Sequence, residues 1–172
     1  MLYITTMYKI KEFLKRLYNL FRWLPVIWKD QDWDHFYIFE ILKFKLKNQA
    51  EYIGSKDRYL NAKRDAEIMM TCVRLIDKIQ DNYYGREYQD YHETELKFID
   101  SVTHPGSYEM DVEYISENYV DYFKKYPLIY KQVPNLKASK EKIAFDIAKM
   151  NEERAHKLLF KILEENIRKW WD

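Results

Sequence analysis

Two patterns in this chain could carry chemistry. The first is the stretch Arg22 to Tyr37, RWLPVIWKDQDWDHFY, in which Trp23, Trp28 and Trp33 recur at steps of five among Asp30, Asp32, Asp34 and His35. The second is Glu153 with His156 near the C-terminus. Carboxylate di-metal bundles use a carboxylate and a histidine three residues later on each of two helices, because that spacing sets both ligands on one helix face. Asp32/His35 and Glu153/His156 are two such pairs. However, Asp32 stands where a helix begins, and capping is the commoner task of an aspartate there. His156 lies among Arg154 and Lys157, the composition of a solvent face. The expectation is therefore no metal and no cofactor, with those four residues as the reserve metal set.

A planar anionic ligand accounts for more of the pattern. Aromatic faces stack on bases, and Lys or Arg neutralises phosphate. Arg22 and Lys29 alternate with Trp23, Trp28 and Trp33, while the C-terminus reads RKWWD and sets Arg168 beside Trp170 and Trp171. If the second and last helices pack together, these clusters share one pocket. There Asp32, Asp34 and His35 would meet base or ribose edges. The plainer alternative is that the tryptophans are core or interface anchors. One aspartate suffices for a cap, so the surplus of carboxylates in WKDQDWDH is the mark of a site. No G-x-S-x-G, H-E-x-x-H, P-loop or dinucleotide fingerprint is present, and no enzyme is expected.

Helices must position these residues. Ile10, Phe13, Leu14, Leu17 and Phe21 follow the three-four step opposite Lys9, Lys11, Lys15 and Arg16, so residues 3–22 read as an amphipathic helix ended by Pro25. A second helix starts at Asp32 or Asp34 and runs to about Ile53, where Gly54 supplies a left-handed stop. Its apolar residues (Phe36, Ile38, Phe39, Ile41, Leu42, Phe44, Leu46) cover more than one face, which predicts a central position. A third helix runs from the cap Asn61 to about Tyr83, with Ile68, Cys72, Leu75, Ile76 and Ile79 inward and Gly85 as its end. Residues 86–101 read as a shorter helix, 104–108 as a turn, 108–112 as a short extended piece and 113–124 as a helix, with a helical turn from Pro127 to Val133. Ser139 caps a final helix to Trp171, with Ile143, Ile147, Met150, Leu158, Ile162, Leu163, Ile167 and Trp170 as its stripe. The fold expected is all-α, a single-domain bundle of five to seven helices over residues 1–172.

Composition narrows the partners. The net charge of +1 conceals segregation: residues 1–48 carry +4, residues 81–123 carry −9 and residues 124–172 carry +5. Segregated charge points to complementarity within the chain or between subunits, and an overall balance near zero argues against extended nucleic acid. The basic first helix would also suit a membrane surface, but a bundle helix looks the same, and no membrane role is expected. The single Cys72 excludes an intramolecular disulfide and suits a reducing compartment.

Three stretches, RWLPVIWKDQDWDHFYIFEILKFKLK, YFKKYPLIYKQV and NEERAHKLLFKILEENIRKWWD, resemble a family of small, functionally unassigned proteins of tailed bacteriophages. The resemblance covers about a third of the chain, spread over its length. It implies the cytoplasm of an infected bacterium and carries no catalytic residue. Two functions follow as expectations. The first is a non-enzymatic anti-defence protein that sequesters a small nucleotide-like ligand, the host's immune signal. The second is an oligomer-forming protein that docks on a host or virion protein.

Overall fold

The computed structural model describes residues 2–30, 33–34, 36–55 and 59–170, and the side chains of these except 2–6 and 114. Among them are seven α-helices, one 3-10 turn and one hairpin: α1 (Leu2–Ile27), α2 (Phe36–Gly54), α3 (Ala62–Gln80), α4 (Tyr83–Arg86), the 3-10 turn (Glu87–Tyr91), β1 (His92–Asp100), β2 (Tyr108–Glu117), α5 (Tyr119–Lys125), α6 (Pro127–Tyr130) and α7 (Lys140–Asn166). The fold is mostly helical and carries the expected long final helix. The hairpin makes it other than purely all-α. By internal packing the chain divides into two compact units, residues 1–76 and 77–172, with the boundary inside α3.

In the first unit, α1 runs through Pro25 rather than ending there. Proline removes one backbone donor, yet Trp28 N–H still donates to the Leu24 carbonyl at 2.9 Å, so the last turn closes. Only Leu46, Ala50 and Ile53 of α2 are buried, so the helix is not central along its length. Gly54 is not left-handed. Its role is close approach, since a Cβ there would stand 3.2 Å from the Ala66 Cβ. Along α3, Met69, Cys72, Val73, Leu75, Ile76 and Ile79 are buried, the inward face expected. Burial pushes the Cys72 thiol up to about 11, which leaves it a protonated core residue at neutral pH.

The second unit opens with Asn82 in the left-handed conformation (φ 50°), so Asn82 and not Gly85 makes the break after α3. Residues 92–100 and 113–117 then depart from the helical expectation, whereas the extended piece expected at 108–112 is present as part of β2. β1 and β2 pair antiparallel, with Leu96 opposite Val112, Phe98 opposite Met110 and Lys97 opposite Asp111, and a bulge at Glu93/Thr94. Directly opposite residues share a face. One face is therefore apolar (Leu96, Phe98, Met110, Val112) and the other charged (Glu95, Lys97, Asp111, Glu113). The turn is built on Ser101, whose Oγ accepts from His104 N–H at 3.0 Å, and on Gly106 at φ 87°.

The core of this unit is aromatic. Tyr119, Tyr122, Ile129 and Val133 bury against Ile143, Ala144 and Ile147 of α7, with Tyr88, Tyr91, Tyr126 and Tyr130 around them. Much of the chain's tyrosine is thus structural. Ser139 caps α7 as expected, accepting from Lys142 N–H at 3.3 Å. The buried stripe of α7 continues through Asn151, Ala155, Leu159 and Leu163, whereas Leu158 and Ile167, expected inward, are exposed.

Candidate functional site

The residues singled out in the sequence have different fates. Arg22 and Trp23 have structural partners: Arg22 donates to the Asn48 side-chain oxygen, and Trp23 meets Phe44 edge-on with centroids 4.7 Å apart. Asp34 is the cap of α2, its carboxylate accepting from Phe36 N–H at 2.9 Å. Trp28 and Trp33 are 80% and 81% exposed, and Lys29 is exposed beside Trp28. In the second unit Arg168 is exposed, while Trp170 is 1% exposed with its indole N–H unbonded among the described residues. Asp32, His35 and Trp171 lie outside the described residues. Glu153 is exposed and His156 half-buried on α7. Among the described residues no three His, Cys, Asp or Glu side chains come together as a metal set.

The first unit holds a shallow groove of about 300 Å³ between α2 and α3. Glu51, Lys63 and Glu67 supply its charge and Ala50, Ala66 and Met70 its floor. Two carboxylates against one ammonium make it a poor seat for phosphate.

One extended surface feature is a stretch that the sequence reading assigns to a bundle helix. Along α1, Ile10, Phe13, Leu14, Leu20, Phe21, Leu24 and Ile27 are exposed. Part of the reason lies in which side of the helix meets α2. Trp23, the residue that packs on Phe44, is 13 residues from Ile10, and at 100° per residue that sets the two about 140° apart round the helix. The first part of the row therefore lies away from Trp23, whereas Leu20 and Ile27, three and four residues from it, border the α1–α2 contact and are still exposed. Seventeen residues at 1.5 Å each give the row a length of roughly 26 Å. Lys9, Lys11, Lys15 and Arg16 flank it, all of them exposed.

A second feature escapes the sequence reading altogether. Glu87, 5% exposed, accepts from Tyr83 Oη at 3.0 Å, from Tyr126 Oη at 2.5 Å and from the Lys125 ammonium. Burial raises its pKa, but the three donors and the Lys125 charge outweigh this and hold the carboxyl below its ordinary value. Burial and the bond to Glu87 push the Tyr126 hydroxyl strongly up, so it remains a donor. Lys78 stands 4.5 Å from the Tyr83 ring and completes the cluster. The available signal was a tyrosine and a glutamate four apart in YYGREYQDY. The node joins the 3-10 turn to α5 and α6 and has the form of a structural clamp.

No protein-family model, curated protein or solved structure matches the chain. No described helix is long and apolar enough to cross a membrane.

Proposed function

We propose that the protein is a non-enzymatic interaction protein that docks on another protein through the apolar row of α1. The exposed row of Ile10, Phe13, Leu14, Leu20, Phe21, Leu24 and Ile27 carries this reading. Contiguous apolar surface beyond a few hundred Å² marks an interaction site, because leaving it in water costs roughly 25 cal/mol per Å². Phe21 and Trp28 at the end of the row are the large aromatic anchors that interfaces favour. The resemblance to phage proteins suggests a bacterial cytoplasm, with a host or virion protein or a second copy as the docked species.

The test is photo-crosslinking in a bacterial cell, with a photoreactive residue at position 13 in the row or at position 15 outside it. Protein adducts from position 13 and few from position 15 are expected. Equal or absent adducts at both positions would refute the reading.

One observation favours the nucleotide-sequestering alternative. Trp28 and Trp33 offer open ring faces with Lys29 between them in sequence, a platform suited to stacking a base. That reading requires tryptophan quenching by nucleotides and its loss in Trp33→Ala.

A further inference from the structure

The exposed row of α1 has a period that names the kind of surface it fits. Ile10, Leu17 and Leu24 recur at seven, and so do Phe13, Leu20 and Ile27, three residues further on; all of them are exposed except Leu17, which is half-buried. These are the a and d positions of three heptads, unbroken from residue 10 to residue 27. A strict seven-residue apolar repeat is the seam of a helix pair, because 3.5 residues per turn keeps it facing a second helix. Leu14, Phe21 and Trp28 widen the seam at e, and Pro25 falls at b, outside it.

We propose that this seam is closed by α1 of a second copy, running antiparallel; the proposal rests on the docking reading above and names what docks. Area is sufficient. Nine half-exposed side chains, the seven above with Met7 and Trp28, offer on the order of 900 Å² per copy. A stable interface buries about 800 Å² on each side. Charge sets the direction. Lys9, Lys11, Lys15 and Arg16 lie before Leu17, in the first half of the seam, with Glu12 alone against them. A parallel pair would bring eight cations to one end. An antiparallel pair sets each basic half against the other copy's second half, which carries Arg22, Lys29 and Asp30.

The antiparallel register is also self-consistent. It layers a on d: Ile10 on Ile27, Phe13 on Leu24 and Leu17 on Leu20 of the second copy. The flanking positions then match as well. Lys9 comes opposite Asp30 of the second copy, Met7 opposite Trp28 and Leu14 opposite Phe21. The result is a two-fold, closed contact, which ends at a dimer.

Mixing two single-cysteine variants, Ile10→Cys and Ile27→Cys, tests both the occupant and the direction. Both side chains are exposed and Cys72 is fully buried, so the substitutions spare the core and the wild-type chain is the control. Under mild oxidation the equimolar mixture is expected to give a disulfide-linked dimer in at least fivefold excess over either variant alone. Crosslinking of Ile10→Cys by itself, at the level of the mixture, would overturn the antiparallel arrangement. A monomeric wild type by light scattering with no crosslink in the mixture would overturn the second copy as occupant. In that event the photo-crosslinks from position 13 separate the two claims. Adducts with other proteins would refute self-pairing and leave docking standing, and absence of adducts would refute both. Binding of the monomer to anionic phospholipid vesicles, lost in Phe13→Asp, would also overturn the proposal and assign the row to a membrane surface.

Discussion

Glu87 is the residue on which the second unit's stability turns. Its carboxylate holds two tyrosine hydroxyls and the Lys125 ammonium while almost fully buried. Removing it in Glu87→Ala leaves those donors short of an acceptor and is expected to cost about 2 to 3 kcal/mol in urea unfolding at neutral pH. The pH dependence follows from the depressed pKa. Protons bind the unfolded carboxyl, with its ordinary value of 4.5, more readily than the folded one. The node's contribution is therefore complete above that value and is lost as pH falls through the folded pKa. Lys125 acts at the other limit: its bond to Glu87 raises its pKa above 10.5, so its share is present below that value and lost as pH rises through the folded pKa. Glu87→Gln should flatten the acid limb below the ordinary carboxyl value of 4.5; an unchanged limb would remove Glu87 from the account. Only the Tyr83–Glu87 spacing of four was legible beforehand, because Lys125 and Tyr126 meet Glu87 only once the chain has turned back on itself. Asp34 was legible, since a cap acts on its own neighbours. Trp23 and Trp170 show the limit of composition, which lists aromatic residues without saying which side of a helix is covered.

Among the elements, α3 and α7 were readable because their apolar spacing is long and regular and Ser139 marks a start. The inward face of α7 still drifts from expectation after Met150, where Ala155 and Leu159 are buried in place of Leu158. Small and polar residues fill that part of the stripe, and a search for large apolar side chains passes over them. The hairpin was foreseen only in part, as an extended piece at 108–112, for a different reason. Leu96–Lys97–Phe98 alternates over too few residues to exclude a helix, and the alternation of Met110, Asp111, Val112 and Glu113 gains meaning only when paired with it. Both faces of the hairpin meet solvent, and a two-stranded sheet alone is marginal in water. Hydrogen exchange should therefore separate it from α7. Cross-strand amides of residues 95–113 are expected to exchange at least tenfold faster than those of residues 143–163. Equal protection would mean that the hairpin's apolar face is covered.

For the molecule as a whole, charge segregation and the first helix lead to one account. Amphipathicity of α1 was plain in the sequence, but the direction of its apolar row was not, because a buried stripe and a docking stripe have the same periodicity. What decides it is exposure: Trp23 reaches Phe44, while Ile10, Phe13, Leu14, Leu20, Phe21, Leu24 and Ile27 stay in contact with solvent. On the function proposed above, the protein works as an association module, with its core aromatics structural and its working surface on one helix. Light scattering at micromolar concentration, on the wild type and on Phe13→Asp/Phe21→Asp, tests this most directly. The account predicts a mass near twice the 21.4 kDa chain for the wild type, and the single-chain mass for the variant with its helical signal retained. A wild type that stays at 21.4 kDa as concentration rises, or a variant that remains dimeric, would contradict it.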